Sequence, residues 1–91
     1  MGTVGSGMAF QCPICGYPGL AEAPRSPESG GGSYEICPSC GFEFGVTDDD
    51  LGYSYDWWRE KWVDEGMPWS SVGRPRPDDW DPAAQLKSLG A

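Results

Sequence analysis

Apolar and polar positions follow two different periods along this chain. Residues 34–46, YEICPSCGFEFGV, alternate: Tyr34, Ile36, Phe42, Phe44 and Val46 share one side of an extended chain, with Glu35, Glu43 and Gly45 on the other. That is the period-two pattern of a half-buried β-hairpin. Phe10 and Tyr17 supply shorter strand material within residues 10–20. Farther on the period changes. Tyr55, Trp58 and Trp62 recur at i, i+3 and i+7, predicting an amphipathic helix over Tyr55–Glu65 with Ser54 as N-cap and Gly66 closing it. Asp81-Pro82 reads as the N-cap and first-turn proline of a short helix over Pro82–Leu89, whose apolar side is Ala83, Leu86 and Leu89. Two helical turns are marginal alone, so this element has to dock on the rest of the fold or on a partner.

The intervening segments are loops. Residues 1–9 form a Gly-rich leader expected to be flexible, and residues 21–33, AEAPRSPESGGGS, are expected to be a mobile loop. Asp48-Asp49-Asp50 lacks the spacing of a calcium-binding loop and fits a solvated turn ahead of the helix. Arg74-Pro75-Arg76-Pro77 is stiffened toward polyproline II geometry, either as a connector beside Asp78, Asp79 and Asp81 or as a short recognition element.

Four cysteines carry the candidate chemistry. Cys12-Pro13-Ile14-Cys15-Gly16-Tyr17 is repeated as Cys37-Pro38-Ser39-Cys40-Gly41-Phe42, with residues 16–36 between the pairs. Two C-x2-C pairs at this separation match a zinc site of four thiolates, which completes a tetrahedral shell and leaves no position for water. Glycine after each pair is expected to supply the positive φ that lets the chain turn sharply. Iron is the rival metal, because ligand identity barely separates it from zinc. Disulfides and a thioredoxin-like redox pair fit less well, since there is no secretion signal and both pairs match one another.

Composition narrows the function. Six Lys and Arg against 14 Asp and Glu give a net charge of −8 in 91 residues, and four thiolates with one Zn²⁺ would add two further negative charges. Such a charge opposes binding to nucleic acid or to an anionic membrane. The absence of histidine removes the commonest general base. No apolar run is long enough to span a bilayer, and the N-terminus lacks the features of a signal peptide, so a cytoplasmic location is expected. Glu35 and Glu43 could face one another across the hairpin, but opposed carboxylates on a solvent face are usually inert. Five Trp, four Tyr and three Phe are a large aromatic load for this length. Trp58 and Trp62 suit a cover over the metal site, whereas Trp57 and Trp69 suit a binding patch.

The runs CPICGY and YEICPSCGFE resemble the small bacterial cysteine-rich domains with a CPCC opening. The resemblance implies that Cys12, Cys15, Cys37 and Cys40 are metal ligands and that Tyr34, Glu35, Ile36, Phe42 and Glu43 are framework. It implies no activity. Ile14 stands where that opening often has another cysteine, so no spare thiol is present.

The expected fold is a small metal-stapled α+β domain. A zinc ribbon with two zinc knuckles and a β-hairpin occupies residues 10–50. An amphipathic helix and a short C-terminal helix follow over residues 51–91, packed on the ribbon within the same domain. The expected function is that of a structural zinc-binding module, not an enzyme, that serves as a protein-interaction or accessory unit. It would act as a monomer or weak homodimer on a protein partner, a basic one by charge. Trp57, Trp69, Arg74 and Arg76 are the candidate contact residues. The alternatives are a zinc ribbon that binds single-stranded nucleic acid and a four-thiolate iron protein for electron transfer.

Overall fold

The computed structural model describes residues 9–90, so all of the leader except residue 9 lies outside the described residues. Two helices form where the 3.6-residue period and the capping residues place them. Helix α1 spans Tyr55–Asp64 and helix α2 spans Pro82–Lys87. Ser54 Oγ accepts from the Trp57 N–H at 3.0 Å, and Asp81 Oδ1 accepts from the Ala84 N–H at 3.1 Å, so each N-cap satisfies a donor the helix leaves free. At the end of α1 the Met67 N–H donates to the Trp62 carbonyl and the Gly66 N–H to that of Val63. This paired closure is a Schellman motif, with Gly66 in the left-handed region at φ 95°.

The expected β-hairpin does not form. No β-strand occurs among the described residues, and contacts of extended chain are confined to three isolated antiparallel bridges, Phe10↔Leu20, Arg25↔Gly32 and Ile36↔Glu43. The zinc-ribbon and zinc-knuckle descriptions, and with them the α+β class, are therefore replaced by two cysteine turns without a sheet. Backbone conformation explains the difference. Tyr34 (φ 64°) and Gly45 (φ 102°) both leave the extended region just outside the Ile36–Glu43 bridge, so no further ladder can propagate. Prolines 13, 18 and 38 also remove amide donors near the two turns. The shared face breaks up accordingly. Phe42 and Phe44 are buried, whereas Tyr34 and Ile36 are 67% and 56% exposed.

The core forms around the cysteines instead. Cys12, Cys15, Cys37, Cys40, Ile14, Leu20, Phe42, Phe44 and Trp62 are buried together. Phe42 is the aromatic centre, with ring centroids 5.2 Å from Phe44, 5.3 Å from Tyr55 and 5.6 Å from Trp58. The Tyr55–Trp58–Trp62 stripe of α1 thus faces the cysteine turns, and its burial is what fixes a helix of only ten residues. The 21–33 segment is tied to the rest through its first residues. The Glu35 carboxylate accepts from the Ala21 and Glu22 N–H groups at 2.8 and 3.0 Å, and Arg25 pairs with Asp48 and Asp49 at 2.9 and 3.0 Å. The aspartate run therefore holds a loop arginine. No helix among the described residues is long and apolar enough to cross a membrane.

Candidate metal centre

The two cysteine turns repeat one another in hydrogen bonding as they do in sequence. Gly16 N–H donates to the Cys12 carbonyl at 2.9 Å, and Gly41 N–H to the Cys37 carbonyl at 2.8 Å. Cys12 and Cys37 N–H groups then donate to the carbonyls of Tyr17 and Phe42, at 2.8 and 3.0 Å. Both glycines hold positive φ, 88° at Gly16 and 81° at Gly41, as the sharp turn requires.

These turns bring four buried sulfurs to one point. All four Sγ atoms lie within 4.8 Å of one another; Cys12 and Cys40 are 3.9 Å apart and Cys15 and Cys37 3.6 Å. A disulfide needs an S–S distance of about 2.05 Å, and all four cysteines are free. Four sulfurs placed tetrahedrally about 2.3 Å from a zinc ion lie about 3.8 Å apart, which the Cys12–Cys40 and Cys15–Cys37 separations match. The donor set therefore fits one structural Zn²⁺, held by Cys12, Cys15, Cys37 and Cys40.

Electrostatics reinforces the assignment. Hydrogen bonds from Cys12, Cys37 and Cys40 pull the Cys15 thiol far down. Cys37 is pushed far up by its hydrogen bonds with Cys12 and Cys15, and Cys40 by those with Cys12, Cys15 and Cys37, with burial adding to both. Buried thiolates this close cannot all ionise without a cation among them. Zn²⁺ supplies that charge and lets the cluster hold four thiolates.

Both helices cap the turns with polar side chains. From α1, Arg59 donates through Nε to the Ile14 carbonyl at 2.7 Å and through Nη2 to the Pro13 carbonyl at 2.8 Å. Trp58 Nε1 donates to the Cys40 carbonyl of the other turn at 2.9 Å. From α2, Gln85 Nε2 donates to the Cys15 carbonyl at 3.1 Å and to Ser39 Oγ at 3.0 Å, while its Oε1 accepts from Trp80 Nε1 at 2.9 Å. Each helix thus bridges the two cysteine turns. The sequence singled out neither Gln85 nor the role of Arg59. Arg59 lies at the edge of the apolar stripe, a weak signal, and Gln85 carries none, because its partners lie 46 and 70 residues away.

The candidate contact residues separate. Trp57 is exposed and stacks on Tyr53, with centroids 4.8 Å apart and planes 27° apart. Trp69 belongs to another cluster, edge-on to Tyr17 at 5.9 Å and to Trp80 at 5.2 Å. Trp69 Nε1 donates to the Arg74 carbonyl at 2.8 Å, and Arg74 Nη1 donates to Tyr17 Oη at 3.2 Å, so both residues are engaged within the chain. Arg76 is exposed. A cleft of about 530 Å³ opens between the first cysteine turn and α2, with Tyr17, Pro77 and Trp80 among its walls.

No family model matches this chain, and no solved structure matches it. Two curated proteins of Bacillus subtilis (strain 168) are similar to it. One, named "Uncharacterized protein YoaQ", is 34% identical over 71 residues, covering 64% of this chain and 60% of its own length. The other, "Uncharacterized protein YozI", is 32% identical over 75 residues with the same coverage, 64% and 60%. The chain thus spans about 60% of the length of these relatives, whose names state no ligand, reaction or partner. The description of this chain as a small cysteine-cluster metal-binding module therefore rests on its own four-sulfur cluster.

Proposed function

We propose that this chain is a non-catalytic, zinc-stapled accessory module that works by presenting a folded surface to a protein partner. The observation that carries the reading is the closed centre. All four sulfurs are buried and converge on one point, and side chains from both helices lock the turns that present them. With every thiolate committed to the metal, the centre keeps no coordination position for a substrate. Zinc then acts through the fold, by joining two turns and seating two helices that are short for their own stability.

The paired Cys-Pro-x-Cys-Gly-aromatic runs and the Tyr34-Glu35-Ile36-Cys37 approach support membership of the small bacterial cysteine-rich domains with a CPCC opening. Four unpaired thiols suit a reducing, cytoplasmic compartment. The test is chemical cross-linking in the native cell followed by mass spectrometry. A specific partner recovered in fixed proportion, and lost with a Cys37→Ser variant, is the expected result. Recovery of the zinc-loaded chain free of any partner would overturn the reading.

A further inference from the structure

Helix α1 turns its tryptophan stripe inward, yet it leaves a second aromatic surface outside. Leu51, Tyr53 and Trp57 are 63%, 38% and 49% exposed, and the stacking of Tyr53 on Trp57 joins two of them into one face. Contiguous exposed aromatic faces are costly in water and characterise interaction sites. Trp57 continues into a shallow groove of about 310 Å³ along α1, lined also by Glu60, Lys61, Asp64 and Glu65. Positions 57, 60, 61 and 64 follow the helical repeat and so form one strip, turned away from Tyr55, Trp58 and Trp62.

The charges around this strip are one-sided. The cations of this region are already used: Arg25 by Asp48 and Asp49, Arg59 by Asp56 at 2.9 Å, and Lys61 by Glu65 at 3.0 Å. Among the described residues Asp50, Glu60 and Asp64 enter no ion pair, and all three are exposed. Lys61 Nζ also sits 4.8 Å over the Trp58 ring, so α1 already holds one cation against an indole.

We propose that the Tyr53–Trp57 face and the Glu60–Asp64 strip of α1 form a docking surface for an arginine- or lysine-bearing segment of a basic protein. A cationic side chain seated on the free face of Trp57 gains the indole's quadrupole, and Glu60 and Asp64 neutralise its neighbours. Nucleic acid would bring phosphates against uncompensated carboxylates, and a second copy brings the same net charge of −8. This inference rests on the interaction-module reading and deepens it.

The test titrates the isotopically labelled, zinc-loaded full chain with a hexa-arginine peptide at low and high salt, followed by amide and indole NMR shifts. Saturable shifts confined to the Trp57 indole and the 53–65 amides, weakened by salt, are expected. Glu60→Gln with Asp64→Asn, and separately Trp57→Ala, should each weaken binding about tenfold. Glu22→Gln with Glu28→Gln removes the same charge from the 21–33 loop and should change affinity less than about twofold. Absence of saturable shifts, shifts centred elsewhere, or equal losses in the two charge variants would overturn the proposal. A cross-linked partner that contacts the chain away from α1 would also overturn it while leaving the module reading intact. A chain that cross-links to no partner would overturn the module reading instead.

Discussion

Gly16 shows how tightly single positions are held around the cysteines. Its φ of 88° disfavours any side chain, and an added Cβ would collide with the Gln85 carbonyl oxygen of α2. Gly16→Ala should therefore cost about 2 kcal/mol or more, read as a lower melting temperature of the zinc-loaded protein. Gln85 is the complementary case. Truncation to Ala leaves the Cys15 carbonyl, the buried Ser39 hydroxyl and the Trp80 indole N–H without their partner. A cost of about 1–3 kcal/mol follows, and transfer of zinc to a chelator should be faster although the bound stoichiometry stays at one. A melting temperature unchanged in Gln85→Ala would show that α2 does not brace the turns. The glycine was legible from its place after each C-x2-C pair. The glutamine was not, because its role is made by contacts remote in sequence.

Elements follow their local signals to different degrees. Both helices begin at the residues their caps predict and end within two residues of the predicted limits, since capping and period are local properties. Ser54→Ala removes the hydroxyl that accepts from the Trp57 N–H and should destabilise the fold by about 1 kcal/mol, measurable by denaturant unfolding of the zinc-loaded protein. Residues 34–46 went the other way. Their alternation is real, but a sheet needs consecutive pairs, and left-handed backbone at Tyr34 and Gly45 confines pairing beside the second cysteine turn. Alternation therefore reported the burial of Phe42 and Phe44 and misreported the partner, which is the aromatic face of α1 in place of a neighbouring strand.

At the scale of the whole molecule, stability and metal are one quantity. Chelation of zinc should unfold the core cooperatively, with loss of helical circular dichroism and a change in the emission of Trp58 and Trp62. Acid should do the same. Zinc lowers the folded-state pKa of its thiolates below the unfolded value, so their contribution is present above the unfolded thiol pKa and is lost as pH falls and protons displace the metal. Zinc release that left the helical signal intact would contradict this account. The metal ligands were determined by sequence alone, because C-x2-C spacing fixes which donors one turn can present. The helices were too, because caps and period are encoded within a few residues. Only the tertiary structure decided that two cysteine turns would be joined without a sheet, that Arg59 and Gln85 would clasp them, and that Trp57 and Trp69 would lie in separate clusters. Those outcomes depend on which distant backbone carbonyls and aromatic faces come within hydrogen-bonding or van der Waals reach, and no local pattern carries that information.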